Sequence, residues 1–204
     1  MYRQYIKAIL DRLFALILLL VLSPLLLCLS VIVRIIVGRP VFFVQERVGQ
    51  GEKRFFLFKF RSMTTERDPN GVLLEDSQRL TAFGLFLRAS SLDELPELFN
   101  ILMGHMSFVG PRPLPCKYLP RYNDEQRRRH DVKPGLTGCA QVMGRNLLSW
   151  EERFNYDIHY VDHLSFAFDM EIIFKTFGIV LGRKGISSES HATMEEFMGS
   201  GNDD

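Results

Sequence analysis

Apolar and polar positions divide this chain unevenly. From Leu13 to Val33 it runs 21 residues without a charged side chain. A helix crossing a bilayer needs roughly 20 apolar residues, so the length suffices. A cleavable signal peptide fits poorly, since its apolar stretch spans about 7–15 residues and no A-x-A site follows here. A fully buried soluble helix of this length is also out of proportion. Ser23-Pro24 stands at the middle of the run. Proline removes a backbone donor and collides with the preceding turn, so the helix should kink there. Both flanks are basic, with Arg3, Lys7 and Arg12 before and Arg34, Arg39 and Arg47 after. The Lys/Arg asymmetry that orients a single crossing is therefore nearly absent. Two topologies stand on this pattern. One is a single pass with a tolerated proline; the other dips in, bends at Ser23-Pro24 and returns to the same face.

After the run, Gly38-Arg39-Pro40 breaks the helical pattern. Val41–Val44 and Phe55–Phe60 read as the strands of a hairpin, with Gly49-Gln50-Gly51 at the turn. In the second strand Phe55, Leu57, Lys59 and Arg61 alternate with Phe56, Phe58 and Phe60. The all-phenylalanine face predicts core, and the other passes from apolar to cationic. Residues 64–79 are polar and turn-rich, which predicts a mobile loop; 80–87 resume helical spacing. Ser91-Leu92-Asp93-Glu94 fits the capping-box pattern at the start of a helix, with Pro96 tolerated near that start. Trp150–Gly182 is helical and aromatic-rich. Asp169, Glu171 and Lys175 argue against a second span there, but suit a helix in the interface plane. The tail beyond Ser187 is polar and predicts fraying. The pattern thus predicts an α+β chain: a kinked membrane helix over 1–37, a mostly helical domain with a small hairpin over 38–186, and a flexible tail over 187–204.

Composition adds limits. The 204 residues suit one domain with an appendage. A formal net charge of +1 gives no electrostatic case for nucleic acid. Cys28, Cys116 and Cys139 form no CxxC pair, and their odd count argues against a disulfide framework and for a reducing compartment. Gly49-x-Gly51 lacks the third glycine of a dinucleotide fingerprint, because Arg54 stands there.

The candidate chemistry gathers around Asp93 and Glu94. Acids in a first helical turn can simply complement the helix dipole, worth about 0.3–1 kcal/mol each. The same positive end would keep a carboxylate ionised, and an ionised carboxylate can attack an electrophilic centre and form a covalent intermediate. Its neighbour could hold Mg²⁺, a hard cation that takes carboxylate and phosphate oxygens together. Successive helical residues point about 100° apart, so the two acids can serve different partners. Lys59, Arg61, Arg88, Arg112 and Arg145 are the cationic candidates, each commonly a solvated surface charge when taken singly. Arg112 differs because Gly110 and two prolines restrain its backbone, presenting a fork of donors suited to phosphate. Lys133–Gly138 is a glycine-bearing turn able to offer backbone N–H groups to an anion. His159 and His163, with Asp162 between, only loosely match a metal motif and lack a third ligand. Arg127-Arg128-Arg129 reads as a solvated helix face or a contact for anionic headgroups.

Four ordered blocks carry a resemblance. KFRSM at 59–63, LRASSLDELPELFNIL at 87–102, GHMSFVGPRP at 104–113 and KPGLTGCAQVMGR at 133–145 are similar to the bacterial sugar transferases, the monotopic phosphoglycosyl transferases. The resemblance extends from the apolar run to about Gly185 and looks like the minimal single-domain form. It implies transfer of a sugar 1-phosphate from a UDP-sugar to undecaprenyl phosphate, giving undecaprenyl diphosphosugar and UMP. Asp93 would be the nucleophile that carries a covalent phosphosugar, and Glu94 the Mg²⁺ ligand. Lys59, Arg88, Arg112 and Arg145 fall at matching motif positions and would hold phosphates or nucleotide. Asp157 falls in a matching late block and would support the site. Ser23-Pro24 matches the family's re-entrant kink, which implies residence at the cytoplasmic face of the bacterial inner membrane, in contact with membrane lipid. His105 stands where an acid is expected in many members, leaving that local contact open. Within the family, the likeness to members that begin protein N-glycan assembly points to UDP-diacetylbacillosamine as donor. Two other readings remain to be separated: a metal-dependent membrane hydrolase using His159 and His163, and a non-catalytic membrane scaffold of polysaccharide assembly.

Overall fold

The computed structural model of this chain describes residues 2–144, 147–182 and 196–199. A π-helical turn, Tyr2–Ile6, leads into α1 (Lys7–Val21) and α2 (Ser23–Ile36). The two helices are bent by 65° at their junction. Pro24 sits in the first turn of α2, where a missing N–H costs least, and the Ser23 hydroxyl donates to the Leu20 carbonyl at 2.8 Å. Among the described residues no single helix is long and apolar enough to cross a membrane; only the bent pair together has that length and composition. Its apolar run has two sides. Ala15, Leu19, Leu29 and Val33 are buried, whereas Leu13, Phe14, Ile17, Leu20, Leu27 and Ile35 face outward.

The hairpin follows, β1 (Phe42–Val48) pairing antiparallel with β2 (Arg54–Phe60) from Phe42↔Phe60 to Val48↔Arg54. The faces of β2 are the reverse of the pattern-based expectation. Phe55 and Leu57 pack with Ala15 and Leu19 of α1 and with Leu98 and Ile101 of α5 (Glu97–Leu102), while Phe56 is 59% exposed. The physical reason is that the face ending in Lys59 adjoins the core, and its cation emerges at the core's edge. Phe60, at the strand's end, joins a second cluster with Leu29, Val33 and Leu87. Fully buried Asn100 of α5 fixes β2 from the other side: its side chain accepts from Phe58 N–H (3.0 Å) and donates to the Phe56 carbonyl (2.6 Å). An amide side chain thus satisfies two polar groups on the strand's open edge.

The 64–79 segment carries one isolated bridge, Arg67↔Leu73, and the short helix α3 (Asp76–Arg79), and a second bridge, Met63↔Leu80, closes its ends. Next, α4 (Ala82–Ala89) starts at Thr81, whose hydroxyl accepts the Gly84 N–H. Gly84 is required there: a Cβ would stand 1.9 Å from the Ser62 carbonyl. Further on, β3 (Ser107–Val109) pairs parallel with β4 (Gly135–Thr137), across α6 (Asp124–Arg127). The chain continues through α7 (Cys139–Met143), then α8 (Trp150–His163) and α9 (Phe166–Gly182). The helical stretch read as Trp150–Gly182 is therefore two helices, broken at Leu164-Ser165. Asp169 of α9 is buried and takes Lys7 Nζ at 2.6 Å, with the Tyr2 and Tyr160 hydroxyls beside it. That network ties the last helix to the entry of α1. Of the tail expected to fray, residues 196–199 are described, and Phe197 is buried among Tyr118, Tyr122 and Phe154; the remainder of 187–204 lies outside the described residues.

Candidate active site

Asp93 and Glu94 lie in a 3₁₀ turn, Leu92–Glu94, one turn ahead of α5. The expected capping box does not form. Ser91 takes a left-handed backbone (φ 57°) and its side chain caps nothing; Glu97 is the acid in the first turn of α5. The left-handed residue turns the chain sharply, so the two acids project from a corner between α4 and α5 and not along a helix face.

The end of β2 and the turn at Arg112 meet this corner. Glu94 Oε1 lies 2.6 Å from Lys59 Nζ and 2.6 Å from Arg112 Nη2. Lys59 also reaches Glu97 at 3.1 Å, a carboxylate only 2% exposed. Asp93 is different: among the described residues it makes no hydrogen bond or ion pair. Burial first, and the Glu94 charge second, push its carboxyl up to about 6, against the pull of Lys59, Arg112 and Arg88. Burial would also raise Glu94, but Arg112 and Lys59 outweigh it and hold that group well below the usual carboxylate range. Glu97 is raised, by burial and then by Glu94. Adjacent acids therefore differ in kind. Glu94 is a clamped anion, whereas Asp93 is unpaired, half-buried and poised close to its ionisation.

Arg112 is held from behind. Gly110 has no room for a side chain, since a Cβ would come within 2.3 Å of the Lys133 carbonyl. Gly110 N–H donates to the Thr137 carbonyl (2.9 Å) and Gly135 N–H to the Pro111 carbonyl (3.0 Å). The two glycine-bearing turns thus pack backbone to backbone. Within Lys133–Gly138, Gly135 N–H is thus already used and is not open to an anion. Arg129 donates to the Arg112 carbonyl at 2.8 Å and pairs with Asp157 Oδ2 at 2.7 and 3.0 Å. Arg129 and Asp157 are both buried. Arg129 is thus no solvated face residue, although Arg128 is half-exposed and paired with Glu125 and Asp162. Asp157 reaches the site through Arg129 and the Arg112 backbone, not by facing its opening.

The structure therefore brings together Lys59, Asp93, Glu94 and Arg112, with Arg88 alongside. Exposed Arg88 donates Nε–H to the Ser62 hydroxyl (2.9 Å), and its charge lowers the Asp93 pKa. Arg145 lies outside the described residues. Sequence reasoning missed Glu97, Asn100 and Arg129. Glu97 had a usable signal, three residues after Glu94 on one helical side. His159 and His163 stand apart on α8, with His163 Nδ1 2.9 Å from the His159 carbonyl. Among the described residues no third metal-binding side chain converges on them.

The donor set around Asp93 fits Mg²⁺ in one respect. All three acids offer hard oxygen, and Asp93 and Glu97, raised by burial first and by the Glu94 charge second, are groups whose ionised form a nearby cation would favour. Among the described residues, no three such side chains form a cage alone. An ion here would need phosphate or water oxygens as well, as Mg²⁺ usually does.

Comparison with known proteins gives the same region. Residues 2–183 match the family model for bacterial sugar transferases. The chain is 49% identical over 196 residues to a Bacillus subtilis (strain 168) protein named uncharacterized sugar transferase EpsL, covering 96% of this chain and 97% of that one. It is 42% identical over 189 residues to the UDP-glucose:undecaprenyl-phosphate glucose-1-phosphate transferase of Xanthomonas campestris pv. campestris, covering 87% of this chain and 39% of that protein. It is 37% identical over 199 residues to the undecaprenyl-phosphate galactose phosphotransferase of Salmonella typhimurium (strain LT2), covering 89% and 42% respectively. This chain thus spans about two-fifths of the length of the latter two.

Proposed function

The chain belongs to the bacterial sugar transferase family, and from that premise we propose that it is a phosphoglycosyl transferase moving a sugar 1-phosphate from a UDP-sugar to undecaprenyl phosphate. Two relatives are named for that reaction with glucose and galactose. The observation that carries the reading is the unlike pair of acids: Asp93 unpaired and raised, Glu94 clamped by Lys59 and Arg112.

In the first step an Asp93 carboxylate oxygen attacks the β-phosphorus of the donor. The bond from that phosphorus to the bridging oxygen breaks, and UMP leaves with the electron pair. The product is an acyl phosphate on Asp93 carrying the sugar. In the second step a phosphate oxygen of undecaprenyl phosphate attacks the same phosphorus. The Asp93–phosphorus link breaks, the carboxylate returns and undecaprenyl diphosphosugar departs. Such covalent relay divides one displacement into two. Lys59, Arg88 and Arg112 supply positive charge where phosphate oxygens gather. Mg²⁺, held by Glu94 together with phosphate oxygens, would supply further charge neutralisation. Asp157 acts from behind, through Arg129.

The membrane part of the reading is a re-entrant α1–α2 pair at the cytoplasmic face of the inner membrane. The 65° bend and the basic residues on both flanks support it. Each arm of 14 or 15 residues rises only about 21–23 Å, short of a hydrocarbon core of roughly 30 Å. Labelling of single cysteines at the two termini should find both on the cytoplasmic side; a periplasmic N-terminus overturns the re-entrant form.

The first sugar step of a glycan assembly is the fitting role. UMP release in the presence of undecaprenyl phosphate, over UDP-diacetylbacillosamine, UDP-glucose, UDP-galactose and N-acetylhexosamine donors, tests it. UMP from at least one donor is expected. No UMP from any of them, with folded enzyme and Mg²⁺ present, overturns the transfer reading.

A further inference from the structure

Phe197 is 3% exposed and fills a cluster formed by Tyr118, Tyr122 and Phe154, with Trp150 at its margin. Its ring centroid lies 5.0 Å from that of Phe154, 5.4 Å from Trp150 and 5.7 Å from Tyr122. Beside it Glu196 pairs with Lys117 and, at 2.9 Å, with Arg121. Arg121 also donates to the Phe197 carbonyl. Exposed ion pairs hold little by themselves, so the aromatic ring is the anchor.

The same cluster holds Arg129. Its guanidinium carbon lies 5.8 Å from the Tyr122 ring centroid and 5.7 Å from that of Phe154. Tyr122 and Phe154 therefore neighbour both Phe197 and Arg129. Arg129 in turn donates to the Arg112 carbonyl at 2.8 Å, and Arg112 Nη2 holds Glu94 at 2.6 Å. A continuous set of contacts runs from the C-terminal segment to the acid pair.

We propose that Phe197 is a positioning residue for the transfer site: it completes the aromatic cluster that holds Arg129, and so fixes the Arg112 backbone and the guanidinium on Glu94. Asp157 fixes Arg129 by charge, and the rings fix its plane, as stacked arginines require. Without Phe197 the two rings gain a void on one side, and close-packed rings move to fill such voids. The effect on turnover rests on the transfer reading above; the structural coupling stands apart from it.

A double-mutant cycle tests the proposal. A misplacement on the order of 1 Å in a positioned group can cost about a hundredfold, so Phe197→Ala should lower kcat about tenfold. In an Arg112→Ala background the same change should cost less than about twofold, because the route is already cut. Phe197→Tyr should restore most of kcat. Equal fold-losses in both backgrounds would show a general structural role and overturn the proposal. Hydrogen–deuterium exchange supplies a readout independent of turnover. Phe197→Ala should speed exchange in a peptide covering residues 107–114 and leave the 42–60 hairpin unchanged. Unchanged exchange at 107–114 overturns the coupling. Phe197→Leu, which keeps apolar volume without the ring, repeats the test if the alanine variant unfolds. Wild-type enzyme that releases no UMP from any donor counts against the transfer reading alone, and the exchange experiment still decides the coupling.

Discussion

Two ionic clusters share Arg112, and they differ in how completely their acids are paired. In front of it, Lys59 and Arg112 clamp Glu94, Lys59 also reaches Glu97, and Asp93 stands unpaired with Arg88 alongside. Behind it, Arg129 pairs with Asp157, both buried and bonded twice. The rear pair is complete, and its work is to hold a backbone carbonyl. The front cluster leaves Asp93 without a partner, and burial first, with the Glu94 charge second, displaces Asp93 and Glu97 upward. A fully paired buried couple is expected of architecture, an unpaired half-buried carboxylate of a site that meets a ligand. The contrast separates residues that bind from residues that position.

Removing an acid should therefore have opposite consequences in the two clusters. Asp93→Asn should lower turnover by at least about 10⁴-fold, as loss of a covalent nucleophile does. It should not lower Tm. The Asp93 pKa is raised on folding, so the folded state favours its protonated form, and the ionised form weighs against folding above about pH 6. A neutral amide removes that penalty, and thermal unfolding in detergent at pH 7.5 should show an equal or higher Tm. Asp157→Ala should do the reverse in stability, leaving buried Arg129 unpaired at a cost of about 3–5 kcal/mol, with a clear fall in Tm. An unaltered Tm in Asp157→Ala would erase the distinction between the clusters.

Smaller effects sharpen it. Asn100→Leu keeps volume near α5 but strips Phe58 N–H and the Phe56 carbonyl of their partner. That should cost about 2–4 kcal/mol and loosen Lys59 against Glu94, read as faster exchange along β2. His130 packs beside Arg129 on the rear side. Burial first, then Arg129 and Arg127, depress its pKa to about 3, while a bond to the Gly49 backbone acts the other way. The folded pKa lies below the unfolded value, so the unfolded chain takes the proton first as pH falls. Stability is fully present above 6.5 and is lost toward 3. Between pH 6.5 and about pH 5 the loss should be about 2 kcal/mol. Acid titration of Tm should be flatter in His130→Gln; an equal slope would remove His130 from the account.

Much of the front cluster was legible, because Asp93, Glu94, Lys59, Arg88 and Arg112 sit in short motifs with turn residues around them. The kink at Ser23-Pro24 was legible for a similar reason: proline acts locally. The misreadings came where tertiary contacts overrule local pattern. Ser91-Leu92-Asp93-Glu94 satisfies the capping-box spacing, yet Ser91 turns left-handed to bring the acids to Lys59. The alternation in β2 predicts the right phase with the faces exchanged, since the cationic end of Phe55–Leu57–Lys59 marks a site at the edge of the core. Three consecutive arginines look alike in a sequence. Only packing against Tyr122 and Phe154 sends Arg129 inward and leaves Arg128 outside. Asn100 and Phe197 gave no local signal, because their partners lie more than 40 residues away in the chain.

The central claim is that Asp93, not Glu94, carries the phosphosugar. The direct measurement is to mix enzyme with a UDP-sugar and Mg²⁺ but no lipid acceptor, quench, digest and weigh the peptides. One equivalent of UMP is expected, with a phosphosugar mass on the peptide bearing Asp93, absent from Asp93→Asn and discharged when undecaprenyl phosphate is added before the quench. Release of UMP that requires the lipid, with no adduct, or an adduct on another residue, would contradict it.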